Sequence, residues 1–403
     1  MYKIGKEMNI ILMNPEERLA AIASIAQRFK ERAYRYEASG SFPFENFADL
    51  KAIGFPALTV PKDFGGAEIS LEEMLLLQIE IAKQDGSTAL AIGWHLGICL
   101  ESAKSEHWHP DLYGEVMKEI VERGALMNHA ATEMATGSPT HGGKPSTTAV
   151  KTEKGWEITG RKSFTTLSPV LDYFVVTATI QGTDRVAYFL VNRKLNGVSV
   201  IPTWDSIAMR GTGSNDLILD QVLVRDIDFI HDLIPGKTAR EGWSLHIPAT
   251  YYGIALGTFE DTLRLLNQQN QAQNAQEQSV HSFAISAAIG KAKLKLLEMK
   301  HFLFSIIRQW ENADLAGRRA MQEDLSAVKV SIVNSAIEVV NGMISILGPK
   351  SLFRKSAFSR AFKDVRAGLH NPPMEDLVYR DFAKVALRPS KINSLARMSQ
   401  ACV

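Results

Sequence analysis

The sequence predicts a mainly α protein with a β domain set in its middle, and three observations carry that expectation. Apolar residues recur at helical spacing from Pro15 to Arg123. Between about Gly124 and Gly236 the runs shorten, fill with Val, Ile, Thr and aromatic residues, and are separated by turn residues. Helical spacing then returns, with no repeat or low-complexity linker between the three stretches. The expected order is an N-terminal α-helical domain (1–123), a central antiparallel β-sandwich or small barrel (124–236) and a C-terminal four-helix-bundle domain (237–403).

In the first block Leu19, Ile22, Ile25 and Phe29 share one face of a helix from Pro15 to Ala38. Phe44–Ile53 is a second helix, stopped by Gly54. The Pro- and Gly-punctuated stretch Gly54–Gly66 is a bent loop, either a helix connector or a wall beside a ligand. Ser70 and Glu73 form a capping-box pattern ahead of a helix through Lys83. Ser87–Ser102, small and apolar almost throughout, reads as a buried helix. Within it His95 is a hydrogen-bonded core residue or a catalyst. Asp111–Arg123 closes the block.

The β block offers strands at Thr147–Thr152, Trp156–Thr159, Tyr173–Ile180, Arg185–Asn192, Val198–Pro202 and Asp216–Val224. Gly182–Asp184 and Leu195–Gly197 suit hairpin connections. The Gly-rich loop Trp204–Ser214, carrying Arg210, meets a phosphate or simply crosses the sheet edge. The last block holds long helices at Leu245–Asn270, Ser279–Asn312 and Ala316–Gly348, then shorter ones at Arg354–Gly368 and Asp376–Leu387. Such broad apolar faces commonly meet a second subunit.

Composition narrows the function classes. With 45 basic and 44 acidic residues the formal charge is +1, which argues against nucleic acid or an anionic membrane as partner. Cys99 and Cys402 match no metal or redox spacing, so no metal and a reducing compartment are expected. The run Ile10–Met13 is too short for a signal-peptide core, and no stretch approaches the roughly 20 apolar residues of a membrane span. A cytoplasmic location follows as the expectation.

Two segments suit a ligand. Thr132-Glu133-Met134-Ala135-Thr136-Gly137-Ser138 is a small, hydroxyl-rich turn, and Gly160-Arg161-Lys162-Ser163-Phe164-Thr165-Thr166 ends in an aromatic followed by two threonines. Small residues let a backbone approach a ligand and offer amide and hydroxyl donors, and an aromatic can stack on a flat ring.

Together with Gly54–Gly66, Ser87–Ala91, Met209-Arg210-Gly211-Thr212 and Asp364-Val365-Arg366, these segments resemble, in order and over essentially the whole chain, the acyl-CoA dehydrogenase superfamily of flavoproteins. The resemblance implies FAD bound by His129, Ala131, Thr132, Gly137, Ser138, Phe164, Thr165 and Thr166, with Phe164 where the family usually has tryptophan. It implies α,β-dehydrogenation of an acyl-CoA thioester in lipid metabolism. Electrons would pass through the flavin to an acceptor such as an electron-transfer flavoprotein, within a homodimer or homotetramer.

The catalytic base departs from the pattern. The gap-free position of the usual glutamate holds Pro372, and the alternative place, Leu245-His246-Ile247-Pro248, has no carboxylate. Glu375 and His370 are the catalytic candidates, although Glu375 also suits the start of a helix. Leu369-His370-Asn371-Pro372 resembles the Leu-His-Asp-Pro run of flavin-dependent monooxygenases of the same fold. The usual acyl-CoA arginine is missing near Leu245–Pro248, Gln276–Ser279 replaces the arginine that reaches a neighbour's FAD, and the Gly-Gly turn is reduced to Gly348-Pro349. The alternatives are therefore a two-component monooxygenase using reduced flavin, with FMN in place of FAD, and oxygen, or a non-catalytic acyl-CoA- and flavin-binding homologue.

Overall fold

The computed structural model describes residues 9–103, 107–139, 142–237, 239–272 and 283–387; the expectations placed on Gln276–Ser279 and Cys402 lie outside them. The N-terminal block contains α1 (Pro15–Ser39), α2 (Phe44–Ala52), α3 (Leu71–Gln84), α4 (Gly86–Ser102) and α5 (Pro110–Arg123). Asn14 caps α1 in a full capping box with Glu17. At Ser70 only half of the expected box forms. The serine accepts from the Glu73 amide, while the Glu73 carboxylate turns away to pair with Arg18 at 2.6 Å.

The middle block is one eight-stranded sheet. Its strands are β1 (Met127–Ala130), β2 (Thr148–Thr152), β3 (Gly155–Thr165), β4 (Tyr173–Ile180), β5 (Val186–Asn192), β6 (Val198–Ile201), β7 (Asn215–Val224) and β8 (Phe229–Leu233). The order is β6-β7-β3-β2-β4-β5-β8, with β1 also paired to β4. Most ladders are antiparallel as expected, but β1 and β2 both run parallel to β4. The Gly182 turn joins the paired strands β4 and β5. Leu195–Gly197 is not a hairpin: β6 pairs with β7, at the far side of the sheet from β5. β3 continues well beyond Thr159, because Gly160, Arg161 and Lys162 pair with Leu219, Ile218 and Leu217 of β7. Its register shifts between Lys162 and Thr165, and there Phe164 takes a left-handed backbone with φ 57°.

The C-terminal block has α6 (His246–Ala272), α7 (Phe283–Asn312), α8 (Leu315–Ala320), α9 (Gln322–Leu347), α10 (Ala357–Asp364) and α11 (Glu375–Ala386). The single helix expected over Ala316–Gly348 breaks at Met321. There Gln322, the first residue of α9, clamps the Arg240 backbone with its side chain, accepting from its amide at 2.6 Å and donating to its carbonyl at 3.0 Å. By length and composition alone α9 could cross a membrane, with mean hydropathy 1.6, which departs from the expectation that no stretch comes close. In the fold it packs against α6 and α7 and buries Val328, Ile332, Ala336 and Val340.

One continuous core runs through all three blocks, from Phe29 and Leu75 through Phe174 and Phe189 to Tyr251 and Ile332. The blocks are joined by buried polar bonds as well. Met209, in the loop after β6, donates its amide to Asp364 at the end of α10 at 2.6 Å. Arg210 in the same loop donates to the Ser206 carbonyl at 2.8 Å and lies against Gly40, while its Nε is buried without a partner.

Candidate active site

The two ligand-suited segments are held together by an ion pair. Glu133 and Lys162 are 4% and 0% exposed, with the carboxylate 2.7 Å from the ammonium. Glu133 also accepts from the amide and hydroxyl of Ser146 (2.7 and 2.5 Å), from those of Thr147 (3.0 and 2.7 Å) and from Thr136 Oγ1 at 3.1 Å. Burial alone would raise its pKa, but Lys162 and these donors hold it down at about 2. Burial pushes Lys162 down to about 8 against the pull of Glu133. One carboxylate thus fixes both ends of the loop from Thr132 to Thr147 and anchors it on β3.

Around this anchor the predicted residues fall in one neighbourhood. The Ser163 amide donates to the Thr132 carbonyl at 2.8 Å, and Thr177 Oγ1 donates to the Ala131 carbonyl at 3.2 Å. Gly137 lies in the same loop, pairing with Glu133, and its left-handed backbone (φ 74°) faces open space. Ser138 follows it, partly buried. Phe164 stands 52% exposed, with Trp204 edge-on at 6.3 Å. Thr165 is fully buried and its hydroxyl has no partner. Thr166 shares a hydrogen bond with Ser214 at 2.9 Å, and its carbonyl accepts from Asn128 at 2.9 Å. His129 on β1 has a buried Nδ1 with no partner, and burial drives its pKa down to about 4.

The catalytic candidates sit elsewhere, on the segment between α10 and α11. His370 is exposed, after a short 3-10 turn. Glu375 opens α11, accepting from Asn334 of α9 at 2.8 Å and from Tyr379. Those two donors, Tyr379 first, hold its carboxyl below the usual range. Asn371-Pro372-Pro373 has the composition of a cap followed by prolines in a first turn, but the helix does not start there. Instead Met374 is the cap residue, and Asn371 accepts from the buried Tyr251 hydroxyl of α6. His95 proves to be a core residue, bonding Pro56 O at 3.0 Å and the Met127 amide at 3.1 Å.

One cluster escaped the sequence reading. Trp243, ahead of α6, stacks between His129 (6.4 Å, 22°) and His246 (5.9 Å, 17°), and Trp94 of α4 meets His246 edge-on at 4.6 Å. Two glycines of α4 make room for it. A Cβ on Gly93 would lie 2.6 Å from His246 Nδ1, and one on Gly97 would lie 2.8 Å from Trp243. The i, i+4 pair Gly93 and Gly97 beside Trp94 was the available signal.

Three domain models match the chain: the N-terminal domain of acyl-CoA dehydrogenase over residues 18–105, the middle domain over 128–222 and the C-terminal domain over 245–371. YdbM of Bacillus subtilis (strain 168), provisionally named an acyl-CoA dehydrogenase, is 39% identical over 384 residues, covering 94% of this chain and 99% of that protein. Among solved structures, KijD3 in complex with FMN and a dTDP-amino-keto sugar superposes with a TM-score of 0.82 at 21% identity, over 96% of this chain and 98% of KijD3. Butyryl-CoA dehydrogenase from Megasphaera elsdenii gives 0.79 at 16% identity, over 92% and 98%.

Proposed function

Because the chain belongs to the acyl-CoA dehydrogenase family, a family of flavoprotein oxidoreductases, we propose that it binds FAD and dehydrogenates an acyl-CoA thioester at its α and β carbons. The observation that carries this reading is the Glu133–Lys162 pair, which binds the Thr132–Ser138 turn to the end of β3 and leaves Phe164 facing outward.

The residues fit a flavin. An exposed aromatic held in a left-handed backbone is costly unless it serves a flat partner. Gly137 leaves space for a phosphate to approach main-chain amides, and the unpartnered Thr165 hydroxyl and His129 Nδ1 supply polar atoms nearby. In this reading Ala131 and Thr132 line the polar edge of the ring, Phe164 covers its face, Thr166 adds a hydroxyl, and Gly137 and Ser138 receive the pyrophosphate. The flavin, when bound, supplies the acceptor for the β hydride. The chain's own task is then to orient the acyl group, exclude water and take the α proton. Glu375, ionised at the start of α11, and His370 are the proposed proton acceptors. Electrons leave to an acceptor such as an electron-transfer flavoprotein. Division into domains at about residues 123 and 236, and a homodimer or homotetramer, belong to the same proposal.

A second reading has its own support. The usual base position holds Pro372, and an exposed histidine stands two residues before it. A two-component monooxygenase that receives reduced flavin needs no carboxylate there.

Anaerobic titration of the purified holoprotein with a panel of acyl-CoAs tests the proposal. Bleaching of bound FAD supports dehydrogenation. Product formed only from added reduced flavin and oxygen replaces it with the monooxygenase reading, and ligand binding without bleaching with a non-catalytic one. Glu375→Gln and His370→Ala should each be compared with wild type for flavin reduction; if both reduce flavin at the wild-type rate, neither is the base.

A further inference from the structure

Two stretches that stand out in the sequence have no part in the reading above: Met209-Arg210-Gly211-Thr212, in the loop after β6, and Asp364-Val365-Arg366, at the end of α10. The fold brings them together. Asp364 is 2% exposed, and its Oδ1 accepts from the Met209 amide at 2.6 Å. The cations of its own helix turn elsewhere, Arg360 to the Gln84 carbonyl at 3.0 Å and Lys363 to Glu37. Among the described residues the Met209 amide is the one donor to this side chain. A buried carboxyl with so little compensation is costly to keep, which directs attention to what its single bond holds.

What it holds is a strained turn. Met209 is buried with a left-handed backbone (φ 50°), a conformation that costs any residue with a Cβ. Its carbonyl accepts from Trp204 Nε1 at 3.1 Å and from Thr212 Oγ1 at 3.0 Å, so both arms of the loop close on this one residue. From there the loop reaches the segment at the end of β3. Trp204 meets the Phe164 ring edge-on at 6.3 Å, and Ser214 shares a hydrogen bond with Thr166 at 2.9 Å. The Thr212 carbonyl accepts from the Leu167 amide at 3.0 Å, and the Gly213 carbonyl from Ser168 Oγ at 2.7 Å. A half-exposed ring such as Phe164 is not fixed by core packing, so its outlook depends on contacts of this kind.

We propose that Asp364 is a positioning residue for the flavin-covering segment, acting through the Met209 amide and the Trp204–Ser214 loop to hold Phe164 and Thr166 in place. The assignment rests on the flavin site proposed above and is independent of which reaction the flavin serves. It ties the C-terminal helices to the cofactor face through a β-domain loop, with no contact between Asp364 and the flavin itself.

The test uses the full-length protein, with affinity for FAD and for FMN measured by equilibrium dialysis and the setting of the bound ring read by visible circular dichroism. Asp364→Leu, which removes the acceptor, should weaken flavin binding by roughly tenfold and change the flavin dichroism. Asp364→Asn keeps an oxygen acceptor and should bind within about twofold of wild type, with the wild-type dichroism. A general loss of stability would not be rescued in the spectrum in this way. Combining Asp364→Leu with Phe164→Ala should cost less affinity than the two changes separately add up to, because one acts through the other. Trp204→Phe leaves the buried acid untouched, keeps a ring beside Phe164 and removes the donor to Met209. It should weaken binding by roughly threefold and shift the dichroism in the same sense. A folded Asp364→Leu protein with wild-type affinity and dichroism overturns the assignment and leaves the flavin reading standing. If Asp364→Leu does not fold, Trp204→Phe decides, and wild-type affinity and dichroism there overturn the assignment equally. Wild-type protein that binds neither flavin overturns both.

Discussion

Two buried polar clusters lie on either side of the Ala131–Thr132 segment, and they are built in opposite ways. In the Glu133–Lys162 cluster the carboxylate is answered by six donors from four residues, Lys162, Ser146, Thr147 and Thr136, and the cluster is closed. In the His246 cluster the bonds run out: His246 Nε2, Gln78 Oε1 and His129 Nδ1 are all buried and unanswered. A saturated cluster holds backbone in place, whereas an unsaturated one keeps bonding capacity for something not part of the chain.

Substitutions should separate the two. Lys162→Met has the largest expected effect, because it strands a buried carboxylate; stability in urea should fall by ~3–5 kcal/mol. Restoring neutrality with Glu133→Gln should recover part of that loss, and no recovery would mean that the charges are not what the cluster depends on. On the other side, Gly93→Ala drives a Cβ to within 2.3 Å of Gln78 Nε2. A cost of ~1–3 kcal/mol in stability is expected, accompanied by weaker acyl-CoA binding, and unchanged binding would detach α4 from the ligand site. Phe164→Ala removes a half-exposed ring. Flavin affinity should drop by roughly tenfold, about 1.4 kcal/mol, with little change in apoprotein stability; equilibrium dialysis against FAD measures it.

A separate expectation concerns pH. Burial, and then Glu37, raise the Asp364 carboxyl to about 7, against the Met209 amide and Arg360, with Asp85 adding to the rise. The folded state therefore holds this proton more tightly than the unfolded chain does. The stabilisation is complete below the ordinary aspartate range, near 4, and is lost as pH rises toward 7. Asp364→Asn should flatten the slope of unfolding free energy across that window.

Much of the architecture was legible because the hydrophobic period changes twice, at about Gly124 and Gly236. What escaped did so for local reasons. β1 is Met-Asn-His-Ala and β8 is Phe-Ile-His-Asp-Leu, short runs with little β-branched content that are strands only because β4 and β5 accept them at their edges. The break at Met321 coincides with a clamp from Gln322 to Arg240, a contact distant in sequence that no local propensity encodes. Of the site, the backbone segments were readable as small-residue turns. The ion pair between them was not, because Glu133 and Lys162 read as ordinary charged residues until the sheet brings them together. His246 has no signal of its own in sequence, because its neighbours Gln78, Trp94 and Trp243 are gathered around it only by the fold.

The register shift in β3 has a consequence for how this site tolerates change. Strict alternation would place Lys162, Phe164 and Thr166 on one face, yet Lys162 is buried and Phe164 faces out. The strand, in effect, changes reading frame by one residue inside the motif. Point substitutions leave that frame intact and sample different aromatics at the same outlook. A one-residue deletion between Lys162 and Thr165 would close the bulge, leaving Thr165 opposite Asn215 but removing the left-handed step that turns Phe164 outward. Variation in sequence length there is therefore far more costly than variation in side-chain identity.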